Sequence, residues 1–111
     1  MRPIICGGRD YLLTGTDYDF LLSLHIALHF EVVITGGSSG ADYWAKMWAE
    51  SKGIQTVELC ANWNYHGRAA GPIRNRKMAE IGDCVIAFPG GGGTENMISI
   101  GKRLGMEVLK P

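Results

Sequence analysis

The chain has 111 residues, 46% of them hydrophobic, and its 11 Lys+Arg balance its 11 Asp+Glu to a net charge of zero. That describes one small globular domain, residues 1–111, and excludes a disordered chain. It leaves no global field to draw in nucleic acid or a membrane surface, so neither is an expected partner.

Cys6, Cys60 and Cys84 are scattered and odd in number, with no C-x-x-C pair. Neither a zinc site nor a disulfide framework is indicated, and no cofactor is expected. No signal peptide and no apolar run long enough to span a bilayer is seen, so a reducing, cytoplasmic setting is expected.

In chain order, Pro3–Cys6 is an apolar run that stops at Gly7-Gly8 and reads as the first strand. Its loop holds Gly8, Arg9 and Asp10. Either Arg9 points at a ligand shared with the later glycine loops, or Arg9 and Asp10 form a solvated pair. Residues 16–30 read as a helix, with Phe20, Leu21, Leu24, Ala27 and Leu28 at helical spacing. Thr16, Asp17 and Asp19 suit its N-terminus. His25 and His29 share one face, but nothing supplies a third metal ligand. Histidines near a helix C-terminus are favoured by the dipole, and that is the preferred reading.

Residues 31–35 form the second strand. It runs into Gly36, Gly37, Ser38, Ser39, Gly40, Ala41 and Asp42, then a helix over 41–52. Thr35 spoils the G-x-G-x-x-G fingerprint, and no Gly-Lys-Ser/Thr follows, so neither a standard dinucleotide site nor a P-loop is supported. Ser38 and Ser39 donate to a phosphate or cap the helix. Asp42 complements the helix dipole, bonds a ribose, or organises the loop, and the last is preferred. The helix carries Trp44, Ala45 and Trp48 on one stripe with Tyr43 and Met47 beside it. That arc is wide for one face of a small sheet, which points to a homodimer or larger oligomer. Gly53 ends the helix.

Residues 54–59 form the third strand. Glu58 lies near the distance at which an acid meets a ribose, but the failed fingerprint weakens that role. Residues 60–70 read as the one long loop, with Trp63, Tyr65 and His66 as candidate binding side chains or anchors, the anchor being preferred for Trp63. A helix then starts at Gly71 with Pro72 at its first position. Arg68, Arg74, Arg76 and Lys77 concentrate positive charge here. Arg74 falls in the first turn, where a nearby anion relieves its conflict with the dipole.

Residues 83–94 organise the rest. Cys84 to Phe88 read as a strand buried on both faces, and Pro89 ends it. Gly90, Gly91, Gly92 and Gly93 follow, with Thr94 at the N-cap of a helix over 95–104. Glycines bring the main chain close to a ligand, and the helix terminus favours phosphate or carboxylate. Met106 to Leu109 close as the last strand.

Five alternations of strand and helix predict an α/β, Rossmann-like three-layer sandwich with a parallel sheet. The order 3-2-1-4-5 sets the three glycine loops on one carboxyl edge, at the switch point.

The motifs G-G-R-D-Y (7–11), G-G-S-S-G-A-D (36–42), W-x-x-x-G-R-A-A-G-P-I-R-N (63–75) and F-P-G-G-G-G-T (88–94) carry a resemblance. The chain resembles the small cpYpsA-related members of the SLOG superfamily, which also includes the LOG phosphoribohydrolases and the DNA-binding protein DprA. The resemblance implies a nucleotide or nucleotide-derived ligand, often in stress or phage-conflict signalling. LOG enzymes place an acid two positions after the threonine of P-G-G-x-G-T. Here Asn96 stands there, and Glu95 is the nearby acid. Arg74 resembles their arginine.

Three functions follow as expectations. The first is a module that senses or sequesters an ADP-ribose-like or cyclic nucleotide. Its contacts are Gly8, Arg9, Asp10, Gly36, Gly37, Ser38, Gly40, Asp42, Arg68, Arg74, Asn75, Pro89, the four glycines 90–93 and Thr94. The second is a hydrolase of an N-glycosidic or phosphoester bond, with Glu95, Asp42 or His66 as acid/base. The third, which zero net charge disfavours, is single-stranded nucleic acid binding.

Overall fold

A computed structural model describes residues 1–111. The elements run β1 (Pro3–Cys6), α1 (Gly15–Leu28), β2 (Val32–Thr35), α2 (Ala41–Ser51), β3 (Gln55–Glu58), α3 (Trp63–His66), a 3-10 turn (Gly67–Ala69), α4 (Ala70–Ile81), β4 (Cys84–Ala87), α5 (Gly92–Arg103) and β5 (Glu107–Leu109). All strand pairs are parallel, and the order is β3-β2-β1-β4-β5, as expected. β1 pairs Ile4 with Ile34 of β2 and with Val85 of β4. Of the three inner strands, β1 and β4 are buried along their whole length and β2 at all but its first residue, while the edge strands β3 and β5 are part-exposed.

Alternating strand residues feed two cores, because neighbouring side chains leave opposite faces of the sheet. Ile5, Val33 and Ile86 face α1 and α2 through Leu21, Ala45 and Trp48. Ile4, Ile34 and Val85 face α4 and α5 through Met78, Met97 and Ile100. This is the three-layer sandwich.

Several local expectations need correction. α1 starts at Gly15, with Thr14 and not Thr16 as N-cap. Thr14 Oγ1 accepts from the Asp17 N–H at 3.2 Å, and Asp17 Oδ2 accepts from the Thr14 N–H at 3.0 Å. Asp17 therefore closes a reciprocal capping box, which satisfies two otherwise orphan donors. The helix ends at Leu28, and His25 Nδ1 accepts the Phe30 N–H at 3.0 Å. The His25–His29 pair thus serves the helix terminus.

On α2 the arc divides. Ala41, Ala45, Trp48 and Ala49 pack into the core, while Tyr43, Trp44 and Met47 stay exposed. Trp44 was expected on the core stripe. One helix stripe is enough for one sheet face, and a second stripe has nothing to meet.

Residues 60–70 do not form an open loop. Asn62 caps the short α3 by accepting the Tyr65 N–H at 3.1 Å, and the 3-10 turn feeds straight into α4. Pro72 is therefore the third residue of α4, not the first, and Arg74 lies in its second turn. Either proline position falls among the four helix-start donors that lack intrahelical partners, so both are tolerated. α5 likewise starts early, at Gly92, with Gly91 as N-cap. Thr94 is its third residue and Glu95 its fourth. Glycine tolerates the helical conformation although it disfavours it, so the run of four hides the boundary.

Candidate functional site

The loops after β1, β2 and β4 are tied together at the carboxyl edge of the sheet. The Gly8 N–H donates to Pro89 O at 2.8 Å, the Ala41 N–H donates to Gly8 O at 3.1 Å, and Ser39 Oγ donates to Arg9 O at 3.0 Å. Such close approach needs glycine at two positions. A Cβ on Gly40, whose φ is +73°, collides with the backbone of Gly8 and Arg9. A Cβ on Gly90 meets Gly8 N at 2.7 Å and also strikes Thr94 Oγ1.

These loops and α4 enclose a cavity of about 460 Å3. It is lined by Gly8 and Arg9 from the first loop, and by Gly36, Ser38 and Asp42 from the second. Arg68, Arg74 and Asn75 enter from the α4 side, and Gly91, Gly92, Gly93 and Thr94 from the last loop. Three arginines against the single carboxylate of Asp42 make the lining cationic.

Asp42 sits at the start of α2, only 6% exposed. Its Oδ2 accepts from the N–H groups of Gly36 at 3.1 Å and Ser38 at 3.2 Å. It therefore holds the second loop in shape, and its Oδ1 takes no donor from the chain. Burial pushes the carboxyl up to about 6, against the two N–H bonds and the nearby Arg74 guanidinium, which hold it down.

Arg74 is half-buried. Its Nη1 donates to Gly36 O at 2.7 Å, with a longer contact of 3.4 Å to Leu59 O, and its Nε donates to Asn75 Oδ1 at 2.9 Å. Nη2 has no acceptor in the chain. Burial pushes the guanidinium below its ordinary value, and Asp42 opposes that. A Cβ on Gly36 collides with the guanidinium, so that glycine makes room for Arg74.

Asn75 is 2% exposed, and both its amide hydrogens and its oxygen are engaged. Its Nδ2 donates to Gly93 O at 3.2 Å and to Asn96 Oδ1 at 3.0 Å. The bonds through Arg74 and Asn75 thus join the second loop, α4 and the last loop around the cavity. They also orient Asn96, whose amide NH2 is left without a partner while the residue lines the cavity.

At the last loop, α5 begins with no side-chain cap, and the N–H groups of Gly92, Gly93 and Thr94 have no partner in the chain. An α-helix start of this kind favours an anion. Cys6 also lines the cavity, but burial, with Asp42 as the next cause, pushes its thiol up to about 12, so it is unreactive as a nucleophile.

Other predicted residues lie elsewhere. Gly40, Pro89 and Gly90 are outside the lining and make the close contacts with the first loop instead. Gly37 lines a smaller adjoining hollow. Asp10 and Glu95 are exposed and outside the lining. His66 lines a third hollow, which meets the main cavity only at Arg74 and lies beside Glu58, whose Oε1 is paired with Lys46 Nζ at 3.2 Å. The three acid/base candidates are therefore not gathered, and Asp42 alone reaches the cavity. Sequence reasoning missed Cys6, Gly7, Gly71, Pro72 and Met78 as lining residues, and treated Trp63 as an anchor. Trp63 lies under Arg9, whose guanidinium sits 5.5 Å from the ring centroid. Asn96 was legible only as a departure from the resemblance.

The family profile of the YspA, cpYpsA-related SLOG family matches residues 1–66, more than half the chain. The chain belongs to that family. The chain is also 36% identical over 117 aligned positions to the Gene 61 protein of Mycobacterium phage D29, covering 97% of this chain and 94% of that protein. Membership makes this a nucleotide-related, Rossmann-like protein. The matched segment holds the first two loops and Asp42, while α4 and the last loop lie beyond it. No helix is long and apolar enough to cross a membrane.

Proposed function

We propose that the chain binds a nucleotide or nucleotide-derived ligand, ADP-ribose-like or cyclic, and senses or sequesters it. The observation that carries this reading is the cationic cavity at the uncapped start of α5. A phosphate docks on the N–H groups of Gly92, Gly93 and Thr94, and Arg9, Arg68 and Arg74 balance its charge. Asp42 Oδ1 is the free carboxylate acceptor and takes a ligand hydroxyl. About 460 Å3 lies within the size range of ordinary small-molecule pockets. The setting is the cytoplasm, consistent with three free cysteines. The protein is a homodimer or larger through the exposed Tyr43, Trp44 and Met47 face of α2. A strictly monomeric mass in light scattering at micromolar concentration removes that last point.

A hydrolase reading rests on Asp42, the one cavity group able to exchange a proton near neutrality. Against it, the cavity position beyond Thr94 is Asn96, an amide that neither gives nor takes a proton. Titrating a nucleotide panel by calorimetry and then chromatographing the mixtures separates the two. Binding with unchanged ligand supports the module, and product formation supports the hydrolase. Absence of binding across the panel overturns both.

A further inference from the structure

A second hollow of about 240 Å3 adjoins the main cavity. Arg9, Gly36, Ser38, Trp63 and Arg74 line both, so the two are lobes of one cleft. The side lobe is bounded by the loop after β2 and by Cys60 and Ala61 after β3, and it opens to solvent. It carries two arginines and no acid among its lining residues, and the Glu58 carboxylate that stands beside Gly37 is paired with Lys46. The N–H groups of Gly37 and Ser39 in its wall have no acceptor in the chain. The lobe therefore offers the Gly37 and Ser39 N–H groups, the Arg9 guanidinium and Nη2 of Arg74, while Arg74 Nη1 and Nε are already bonded to Gly36 O and Asn75 Oδ1. Asp42 occupies only the N–H groups of Gly36 and Ser38.

We propose that the side lobe is a second phosphoryl subsite, so that the cleft takes a nucleotide carrying phosphoryl groups on opposite sides of its ribose. This rests on the nucleotide reading above and narrows it. The first phosphoryl lies at the start of α5, after β4. The second lies against the loop after β2. β1 stands between those two strands, so the subsites are two strand spacings apart, about 10 Å. The phosphorus atoms of a pyrophosphate share one bridging oxygen and do not span that gap. Two phosphoryl groups with a ribose between them come far closer to doing so. Arg9 and Arg74 stand at the junction of the lobes, where each faces both charges. The Trp63 indole supports the Arg9 guanidinium there.

The test is calorimetry of the full chain with 5′-AMP, ADP and adenosine 3′,5′-bisphosphate at fixed ionic strength. The bisphosphate is expected to bind at least about tenfold tighter than AMP, and ADP to gain much less. Ala61 lines the side lobe and the hollow beside Glu58 but not the main cavity, and Ala61→Asp adds an acid there. It should remove the bisphosphate advantage and leave AMP affinity within about twofold. Circular dichroism and a thermal melt of this surface variant establish that it is folded, and Ala61→Lys, which adds charge of the opposite sign, should raise the advantage. Equal affinity for AMP and the bisphosphate overturns the subsite, as does an equal gain for ADP, or an Ala61→Asp loss shared by AMP. If neither AMP nor the bisphosphate binds, the nucleotide reading itself fails and the subsite falls with it.

Discussion

In the junction between β2 and α2, the Gly36 and Ser38 N–H groups go to the chain's own Asp42, and Arg74 fills the space above Gly36. In the junction between β4 and α5, no side chain takes the N–H groups of Gly92, Gly93 and Thr94, and a Cβ on Gly91, Gly92 or Gly93 meets nothing within 4 Å. The two stretches look alike as strand, glycines and helix. One has packed its glycines against the rest of the molecule and supplied its own carboxylate. The other leaves a bare, donor-rich helix start facing a cationic cavity. A glycine run is therefore a structural requirement where the chain approaches itself, and an open surface where it does not.

The sharpest way to break that contrast is to add a methyl group to each junction. Gly40→Ala puts a Cβ into the Gly8 and Arg9 backbone at a φ of +73°. It should lose about 2–5 kcal/mol in urea unfolding, from overpacking plus left-handed strain. Gly92→Ala should stay within about 1 kcal/mol of the parent, because it adds a better helix former in open space. Similar losses for both variants would show that the junctions are not different in kind.

Arg74→Ala tests the link between them. Ligand affinity should fall well over tenfold, by about 2–5 kcal/mol, because an anion loses its charged partner. The melting temperature should also fall, since Gly36 O and Asn75 Oδ1 lose their donor. Parent-like affinity in calorimetry would put the site elsewhere.

A smaller effect comes from pH. Burial raises the Asp42 carboxyl to about 6, above the unfolded value of about 3.9. The folded chain then holds more protons than the unfolded chain between about pH 4 and 6. Its contribution to stability declines as pH rises through that window and levels off above it. Asp42→Asn keeps an oxygen for the Gly36 and Ser38 N–H groups but does not titrate. The stability difference between parent and variant should therefore shift against the parent by roughly 2 kcal/mol from pH 4 to 7. A flat difference in denaturant melts would show that Asp42 does not titrate in this range.

The smallest effect is expected at Glu95. It is the exposed fourth residue of α5 and lies outside the cavity lining, and Glu95→Gln should change affinity by less than about twofold. A tenfold change in calorimetry would bring Glu95 into the site after all.

The strand runs, the helix spacings and the glycines after β1, β2 and β4 were enough to read the parallel sheet, its order and the edge on which the loops meet. Buried strands and amphipathic helices follow from local patterns of period 2 and 3.6, and right-handed crossovers leave few topologies for five such units. The arginines near residue 74 and the last glycine loop were legible for the same reason, as local charge and local flexibility. The starts of α1, α4 and α5 were not, because a capping residue or a glycine run is compatible with more than one boundary. Nor did the sequence separate the two glycine junctions. That was decided by side chains arriving from far along the chain: Arg74 reaches Gly36 across 38 residues, and Asn75 reaches Asn96 across 21. Which backbone donors are already occupied, and which remain for a ligand, is a property of those distant pairings and therefore of the tertiary structure alone.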